Sequence, residues 1–394
     1  MSRSSLRVRP VRETLELARR VAPSVGITRV TDTTSLDRLG VPVFASVRPT
    51  ATRGSLCVSA GKGLTADDAE VGAIMEAIEL AYAEPQRARP ARREVPAGEL
   101  LQGGDAFRGL APHPALTPSM LVSAIEAIDI RTHRTVLVPT ERVLFPLLPG
   151  EGGGPFGSNS NGVASGNTVE EATLHALAEV IERDVTSFVF SVRDDSRRIA
   201  NATLPPHLAE IARRLDRLGF ELCVRWAPNP FGLAYFLAGI ADRDDPDRAH
   251  RGDGLHPDAT IAATRAICEA AQSRLTDIHG GRDDLAFHRA RDNPADDTPA
   301  SFRRFVVALG SGDAIDFAEV PSVAVDDLAT AMALLAARLD AQGISQILRV
   351  ELGPPDLGLH VVRVIVPQLE CKTGVLTHSG PRLRAAYAKR APRA

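Results

Sequence analysis

Apolar and polar positions follow two periods along the chain. Runs with strand character, Val41 to Val47 and Leu56 to Ser59, predict two strands near the N-terminus, between Arg-, Thr- and Pro-rich turns. Ser119 to Ile130 and Thr135 to Pro139 predict two more. A helical period holds from about Thr65 to Ala83, with Thr65 and Asp67 as candidate caps and Pro85 just beyond the end. It returns from Val169 to about Phe190 and from about Pro257 to His279. Residues 85–120 are rich in Pro, Arg and Gly and read as loop. The stretch PGEGGGPFGSNSNGVASGNT, 149–168, is too long for a hairpin turn, and loops of that length in compact chains are usually functional or disordered.

One pattern occurs twice. Pro206 to Leu218 predicts a helix, followed by strands Glu221 to Trp226 and Leu233 to Ala241. Asp326 to Gln342 predicts a second helix, followed by strands Ser345 to Leu352 and His360 to Val366. Two helix–strand–strand units imply a duplicated element with helices packed on mainly antiparallel sheets, an α+β (mixed α/β) fold.

Composition narrows the function. The 46 basic and 49 acidic residues leave a net charge of −3, so no bulk positive field draws the chain to nucleic acid or anionic lipid. No apolar run is long enough to span a membrane and no apolar signal core follows the basic N-terminus, which reads as cytoplasmic. Cys57, Cys223, Cys268 and Cys371 are scattered without metal-finger spacing and read as reduced structural thiols.

The chemistry lies on three helices. At about 100° per residue, Glu171, His175, Glu179 and Glu182 share an arc of roughly 80°. Leu174, Ala176, Leu177, Val180 and Ile181 make most of the rest of that helix apolar. A solvated face normally mixes signs through i,i+4 pairs, whereas here only Arg183 lies near, to one side. Uncompensated carboxylates on a buried helix repel one another, so a cation should sit among them. The helix from Thr65 carries Glu76 and Glu79 one turn apart. The third carries Arg265, Glu269, Gln272 and Thr276 on one face, with Arg274 elsewhere and Arg282, Asp283 and Asp284 after its end.

Five glutamates suggest a hard divalent cation, Mg²⁺, and neighbouring arginines suit phosphate oxygens. Together they describe a nucleoside triphosphate site without a P-loop, since no GxxxxGK[ST] occurs. For Lys62, within GKG at 61–63, a turn position is the plain alternative to a role in the site, and for Asn159, Asn161 and Asn167 the plain alternative is shaping the Gly-rich stretch.

These segments resemble the YcaO family. The likeness lies in SNGVASGNTVEEATLHALAEVIERD at 160–184, MEAIE at 75–79 and RAICEAAQSR at 265–274. The wider context, GITRV at 26–30, GKGLT at 61–65, HPD at 256–258 and GGRDDL at 280–285, resembles the TfuA-associated branch. The resemblance implies a YcaO-type fold with a core over 25–290 after an N-terminal extension (1–24). An exposed loop (291–300), a C-terminal helix–strand–strand subdomain (301–381) and a basic tail (382–394) would follow. It implies ATP and Mg²⁺ as cofactors, with Glu76, Glu79, Glu171, Glu179 and Glu182 as metal ligands and Asn167 beside them. Arg183 and Arg265 would contact phosphates, and Glu269 and Gln272 would complete the nucleotide pocket.

The implied activity is ATP-dependent phosphorylation of a peptide backbone amide, which turns a poor leaving group into phosphate. Positioning and charge neutralisation do most of the work in such transfers. In this branch an external sulfide then gives a thioamide on a ribosomally made precursor peptide, with a TfuA-like protein as partner and a homodimer as the assembly. An azoline-forming cyclodehydratase is the near alternative; a carboxylate-bridged metalloenzyme and an inactive peptide-binding scaffold are alternatives of other classes. Two departures from the family's SxxxExxER motif stand out: Gly72 replaces the serine and Leu80 the arginine. Gln368 stands where the branch often has glycine, and the proline-rich C-terminus of many azoline-forming members is lacking.

Overall fold

The computed structural model describes residues 6–101, 116–147, 154–192, 195–245, 249–281, 310–353, 357–372 and 379–390. The expected exposed loop at 291–300 and the Arg282, Asp283 and Asp284 group lie outside the described residues. The chain forms two compact units. The first comprises Met1–Pro49, Cys57–Ala77 and Asp194–Ala331; the second comprises Thr50–Leu56, Ile78–Arg193 and Met332–Ala394.

The first unit holds two sheets. One is an antiparallel sheet of β1 (Arg29–Asp32), β2 (Val43–Val47) and β3 (Val58–Lys62). The other has five strands in the order β11 (Ala249–His256), β10 (Ala234–Asp242), β9 (Phe220–Trp226), β8 (Arg197–Ile199) and β12 (Ala314–Ile315). Among the described residues of this sheet, only β12 pairs in parallel, with β8. β10 is buried along its whole length, because helices α4 (Pro206–Arg217) and α5 (Ala259–His279) share a core with it. Leu208 and Leu215 of α4, Ile267 of α5, Phe220, Leu222 and Phe236 anchor that core. Asp258 caps α5 by accepting from the Thr260 N–H at 2.7 Å, and Gly280 ends it at φ 68°, a left-handed conformation suited to glycine.

The second unit is built on six strands. β4 (Arg92–Pro96), β5 (Leu121–Asp129), β13 (Leu348–Glu351), β14 (His360–Ile365) and β7 (Val163–Gly166) pair in that order, and β6 (Thr135–Pro139) pairs with β5. Helix α3 (Val169–Ser191) packs on β7 and β14. α6 (Leu328–Asp340) begins just before the unit's third segment, and α7 (Pro381–Arg390) ends the described chain. One predicted helix–strand–strand repeat therefore supplies α4, β9 and β10 to the first unit, and the other supplies β13 and β14 to the second. The two units interleave along the chain. β7 pairs with β14 across almost two hundred residues, and such non-local pairing leaves no local trace.

The mixed α/β class with mainly antiparallel sheets is as expected, with three corrections to individual elements. The first sixty residues are not only strands and turns: α1 (Val11–Val21) buries Leu15, Leu17, Ala18 and Val21. Its arginines obscure the apolar period, and they form ion pairs, Arg12 with Asp67 at 3.1 Å and Arg19 with Glu70 at 2.6 Å. Residues 85–120, read as loop, contain β4 and a helical turn at Ala97–Leu101. As an edge strand with mostly exposed side chains, β4 lacks the apolar alternation that reveals half-buried strands. The last part of the Gly-rich stretch is strand β7, its four residues all buried. Among the described residues, no helix is long and apolar enough to cross a membrane.

Candidate functional site

Each candidate helix doubles back on the strand that precedes it: β3 leads into α2 (Ala66–Ala83), β7 into α3 and β11 into α5. Close approach needs strand residues without side chains. A Cβ on Gly61 would lie 2.1 Å from both the Ala69 carbonyl oxygen and the Ala73 nitrogen of α2. One on Gly252 would lie 2.2 Å from the Ala266 carbonyl oxygen of α5. The carboxylate-bearing helices are thereby held flush against their strands.

In the first unit this geometry gathers four predicted or neglected residues around β3. The Ala60 N–H donates to Glu76 Oε2 at 3.1 Å, and the Ala60 carbonyl accepts from Gln272 Nε2 at 2.5 Å. Lys62 Nζ, on the same face of β3, donates to Glu269 Oε2 at 2.6 Å, with both side chains about one-quarter exposed. Glu76, Glu269 and Gln272 are thus joined by two residues of one strand. Of the alternatives for Lys62, the turn position does not hold: it lies in β3 as a paired cation, and the alternation Val58, Ala60, Lys62 is the signal for it. Arg265 is half-buried one turn before Glu269, and its Nε is buried without an acceptor. Arg274 instead binds Asp37 and Asp242 (3.3 Å) and lies over the Phe220 ring, a structural role consistent with its different helix face.

In the second unit α3 buries its acidic stripe rather than presenting it to bulk water. Glu171 is 1% and Glu182 3% exposed. Thr168 caps the helix, accepting from the Glu171 N–H at 3.1 Å, and Asn167 Nδ2 donates to both Glu171 oxygens at 3.0 and 3.2 Å. Glu79 accepts from the Ser165 N–H at 2.9 Å and the Ser165 hydroxyl at 2.5 Å. Arg183 approaches Glu182 at 3.6 Å. Glu179 keeps some surface yet is enclosed by protein, and burial pushes its carboxyl above the usual range. Arg183 opposes that shift, Glu182 adds to it by like-charge repulsion, and the Gly162 N–H and Arg363 oppose it more weakly.

Among the described residues, no three His, Cys, Asp or Glu side chains are grouped so as to hold a metal ion alone. A carboxylate-bridged dinuclear centre would need such a group, including Glu-x-x-His ligands on facing helices. Mg²⁺ makes no such demand: it usually takes one or two carboxylates and completes its shell with phosphates and water. A buried carboxylate that is hard to ionise beside a second buried carboxylate fits a cation arriving with its own anionic ligands.

The two motif departures have different causes. Leu80 is 5% exposed, a core position where a guanidinium would be desolvated. Gly72 is not forced: a Cβ there would sit 3.4 Å from Gly61 Cα, an ordinary contact. Gly72→Ser should therefore fold and gain a few tenths of a kcal/mol, since serine is the better helix former. Thermal denaturation checks this; a loss above about 1 kcal/mol, the usual scale of a disruptive substitution, would contradict it.

Next to the stripe, Asp184 (1% exposed) accepts from the Glu370 N–H at 2.7 Å and binds Arg382. Glu370 in turn accepts from the N–H groups of Gly380, Arg382 and Leu383 at 2.6, 2.9 and 3.1 Å, capping α7. Burial pushes the Asp184 carboxyl up to about 6, with Arg382 partly opposing it. A raised acid is easier to hold protonated in the folded chain than in the unfolded one. Its contribution is fully present below about pH 4 and lost as pH rises through about 6, roughly 3 kcal/mol in all. Urea midpoints of wild type and Asp184→Asn should converge at low pH and differ in slope between pH 4 and 6; parallel curves would refute this.

Comparison with known proteins places the geometry in context. A family model described as YcaO cyclodehydratase, ATP- and Mg²⁺-binding, matches residues 60–370. An uncharacterized protein of Methanothermobacter thermautotrophicus is 33% identical over 389 residues, covering 96% of this chain and 98% of that one. An uncharacterized protein in the tfuA 3′ region of Rhizobium leguminosarum bv. trifolii is 35% identical over 359 residues, 88% of this chain and 84% of that one. The structure of YcaO from Methanopyrus kandleri bound with AMPPCP and Mg²⁺ superposes with a TM-score of 0.74 at 25% identity, covering 96% of both chains.

Proposed function

Because the chain belongs to the YcaO family of ATP- and Mg²⁺-binding enzymes, we propose that it phosphorylates a backbone amide of a precursor peptide and directs sulfide to it, giving a thioamide. The observation that carries the general reading is the pair Glu179 and Glu182, enclosed on one helix with Arg183 as their close cation. The finer reading, thioamide with a TfuA-like partner, draws on the relative encoded in a tfuA 3′ region.

Residue roles follow from the surroundings of each side chain. Within the second unit, Glu179 and Glu182 would supply the one or two carboxylates that Mg²⁺ takes, while Asn167 would fix the orientation of Glu171 and Ser165 that of Glu79; in the first unit, the Ala60 N–H would fix that of Glu76. Mg²⁺, when bound, neutralises phosphate oxygens and orients the transferred group. Arg183 and Arg265 would contact phosphates; the buried Nε of Arg265 offers one donor. Lys62 and Glu269 would exchange their mutual ion pair for nucleotide contacts, with Gln272 held by β3. The γ-phosphoryl passes to the amide oxygen with loss of ADP; hydrosulfide attacks the amide carbon, phosphate departs with the C–O bond, and a proton is lost.

Burial pushes the thiols of Cys223 and Cys268 up to about 12, leaving negligible thiolate at neutral pH, so neither serves as the sulfur donor in this reading. The family's cyclodehydratase description favours azoline formation as a second reading. Incubating the chain with the TfuA-like protein, precursor peptide, ATP, Mg²⁺ and sulfide separates the two by mass spectrometry. O-to-S exchange raises the peptide mass and cyclodehydration lowers it. An unchanged peptide with no ATP turnover would overturn both.

A further inference from the structure

Outside the residues already assigned, the second unit buries a guanidinium whose bonds lead to Glu179. Arg363, on β14, is 3% exposed. Its two terminal nitrogens straddle one residue, donating to the Asn159 carbonyl at 2.8 Å and to Asn159 Oδ1 at 3.1 Å, while its Nε is buried with no acceptor. Asn159 Oδ1 also accepts from the Asn161 N–H at 3.0 Å, and the Val163 N–H donates to the Ser160 carbonyl at 3.0 Å. These bonds close residues 159–163 into two overlapping turns, the first of the kind that an asparagine side chain nucleates.

The far end of the turns is wedged in place. The Gly162 carbonyl accepts from the Val364 N–H at 2.8 Å. A Cβ on Gly162 would lie 2.3 Å from the Val364 carbonyl oxygen and 2.7 Å from Val180 Cγ2, so the glycine is clamped between β14 and the residue of α3 that follows Glu179. Its N–H donates to Glu179. Arg363 thus fixes the start of a turn whose other end bonds the carboxylate, and Val364, the next residue of β14, fixes that end. Desolvating a guanidinium for one asparagine is unfavourable, and a turn with no other duty could be held by apolar packing. Metal ligands are held by such outer bonds, because a carboxylate free to rotate binds the cation less tightly.

We propose that Arg363 and Asn159 are positioning residues: through the 159–163 turns they set the Gly162 N–H against Glu179 and hold that carboxylate in the orientation that receives Mg²⁺. The metal-binding half of this inference rests on the function proposed above; the mount itself does not.

Hydrogen–deuterium exchange of the full chain without ligand tests the mount. Arg363→Met and Asn159→Ala should each speed exchange over 159–163 by about tenfold, the scale of one lost hydrogen bond, and leave α5 unchanged. Asn159→Asp, which keeps the side-chain acceptor, should exchange like wild type. Unaltered exchange over 159–163 in both folded variants overturns the mount. Calorimetric titration of AMPPCP, with Mg²⁺ and then with EDTA, tests what the mount is for. The gain in affinity that Mg²⁺ confers should fall about ten- to a hundredfold in Arg363→Met and Asn159→Ala, the scale on which outer-shell partners act on metal affinity. Arg363→Lys should fall between, Asn159→Asp should match wild type, and affinity in EDTA should be unchanged throughout. A merely structural role would lower the melting temperature and leave the Mg²⁺ gain of the folded protein intact, and that result overturns the positioning role. Should Arg363→Met fail to fold, Asn159→Ala, at a half-buried position, carries both measurements. A wild type that binds AMPPCP no better with Mg²⁺ overturns the proposed function, and the exchange measurement still decides the mount.

Discussion

Glu182→Ala and Glu179→Ala should each lower ATP turnover by on the order of 10³-fold while leaving the chain folded, the scale on which a lost metal contact raises a phosphoryl-transfer barrier. Glu182 is 3% exposed, and Arg183 approaches it at 3.6 Å. Glu179 is held above the usual carboxylate range by burial, and Glu182 repels it further. In the nucleotide-free protein the desolvated Glu179 carboxylate therefore opposes folding, and its removal should raise the melting temperature. Addition of Mg–ATP should reverse the order: wild type gains stability by binding and the variants do not. Scanning fluorimetry with and without Mg–ATP, beside a phosphate-release assay, reads both effects. Variants that melt lower than wild type yet keep their turnover would make the stripe structural.

Gly61→Ala should cost more than about 4 kcal/mol or prevent folding, because the added methyl meets main chain that cannot turn aside. Its Cβ would lie 2.1 Å from both the Ala69 carbonyl oxygen and the Ala73 nitrogen, inside any permitted contact distance. Relief requires lifting α2 from β3, which would part Glu76 from the Ala60 N–H and disturb the strand that carries Lys62. Any soluble fraction should lose nucleotide affinity together with stability. Gly72→Ser is the matched control, since position 72 faces Gly61 across the same contact and has room for a Cβ. Chemical denaturation of the two variants gives the comparison. A Gly61→Ala protein within about 1 kcal/mol of wild type would show that the close approach is not required.

Local sequence determined the long elements and the types of side chain they carry. Helix periods over 65–83, 169–190 and 257–279 and the paired helix–strand–strand pattern correspond to α2, α3, α5 and the two repeats, because burial on one face imposes a period that neighbours in sequence record. The acidic stripe of α3 was legible for the same reason: its angular spacing and lack of cations are properties of one helix. Tertiary structure decided the rest. α1 and β4 were masked by arginines whose partners or solvent exposure lie outside any short window. The pairing of Lys62 with Glu269 across more than two hundred residues, and the mounting of Arg363 on Asn159, have no signature in spacing. Periodicity reports which way a side chain points; what it meets there is set by strands and helices brought together from distant parts of the chain.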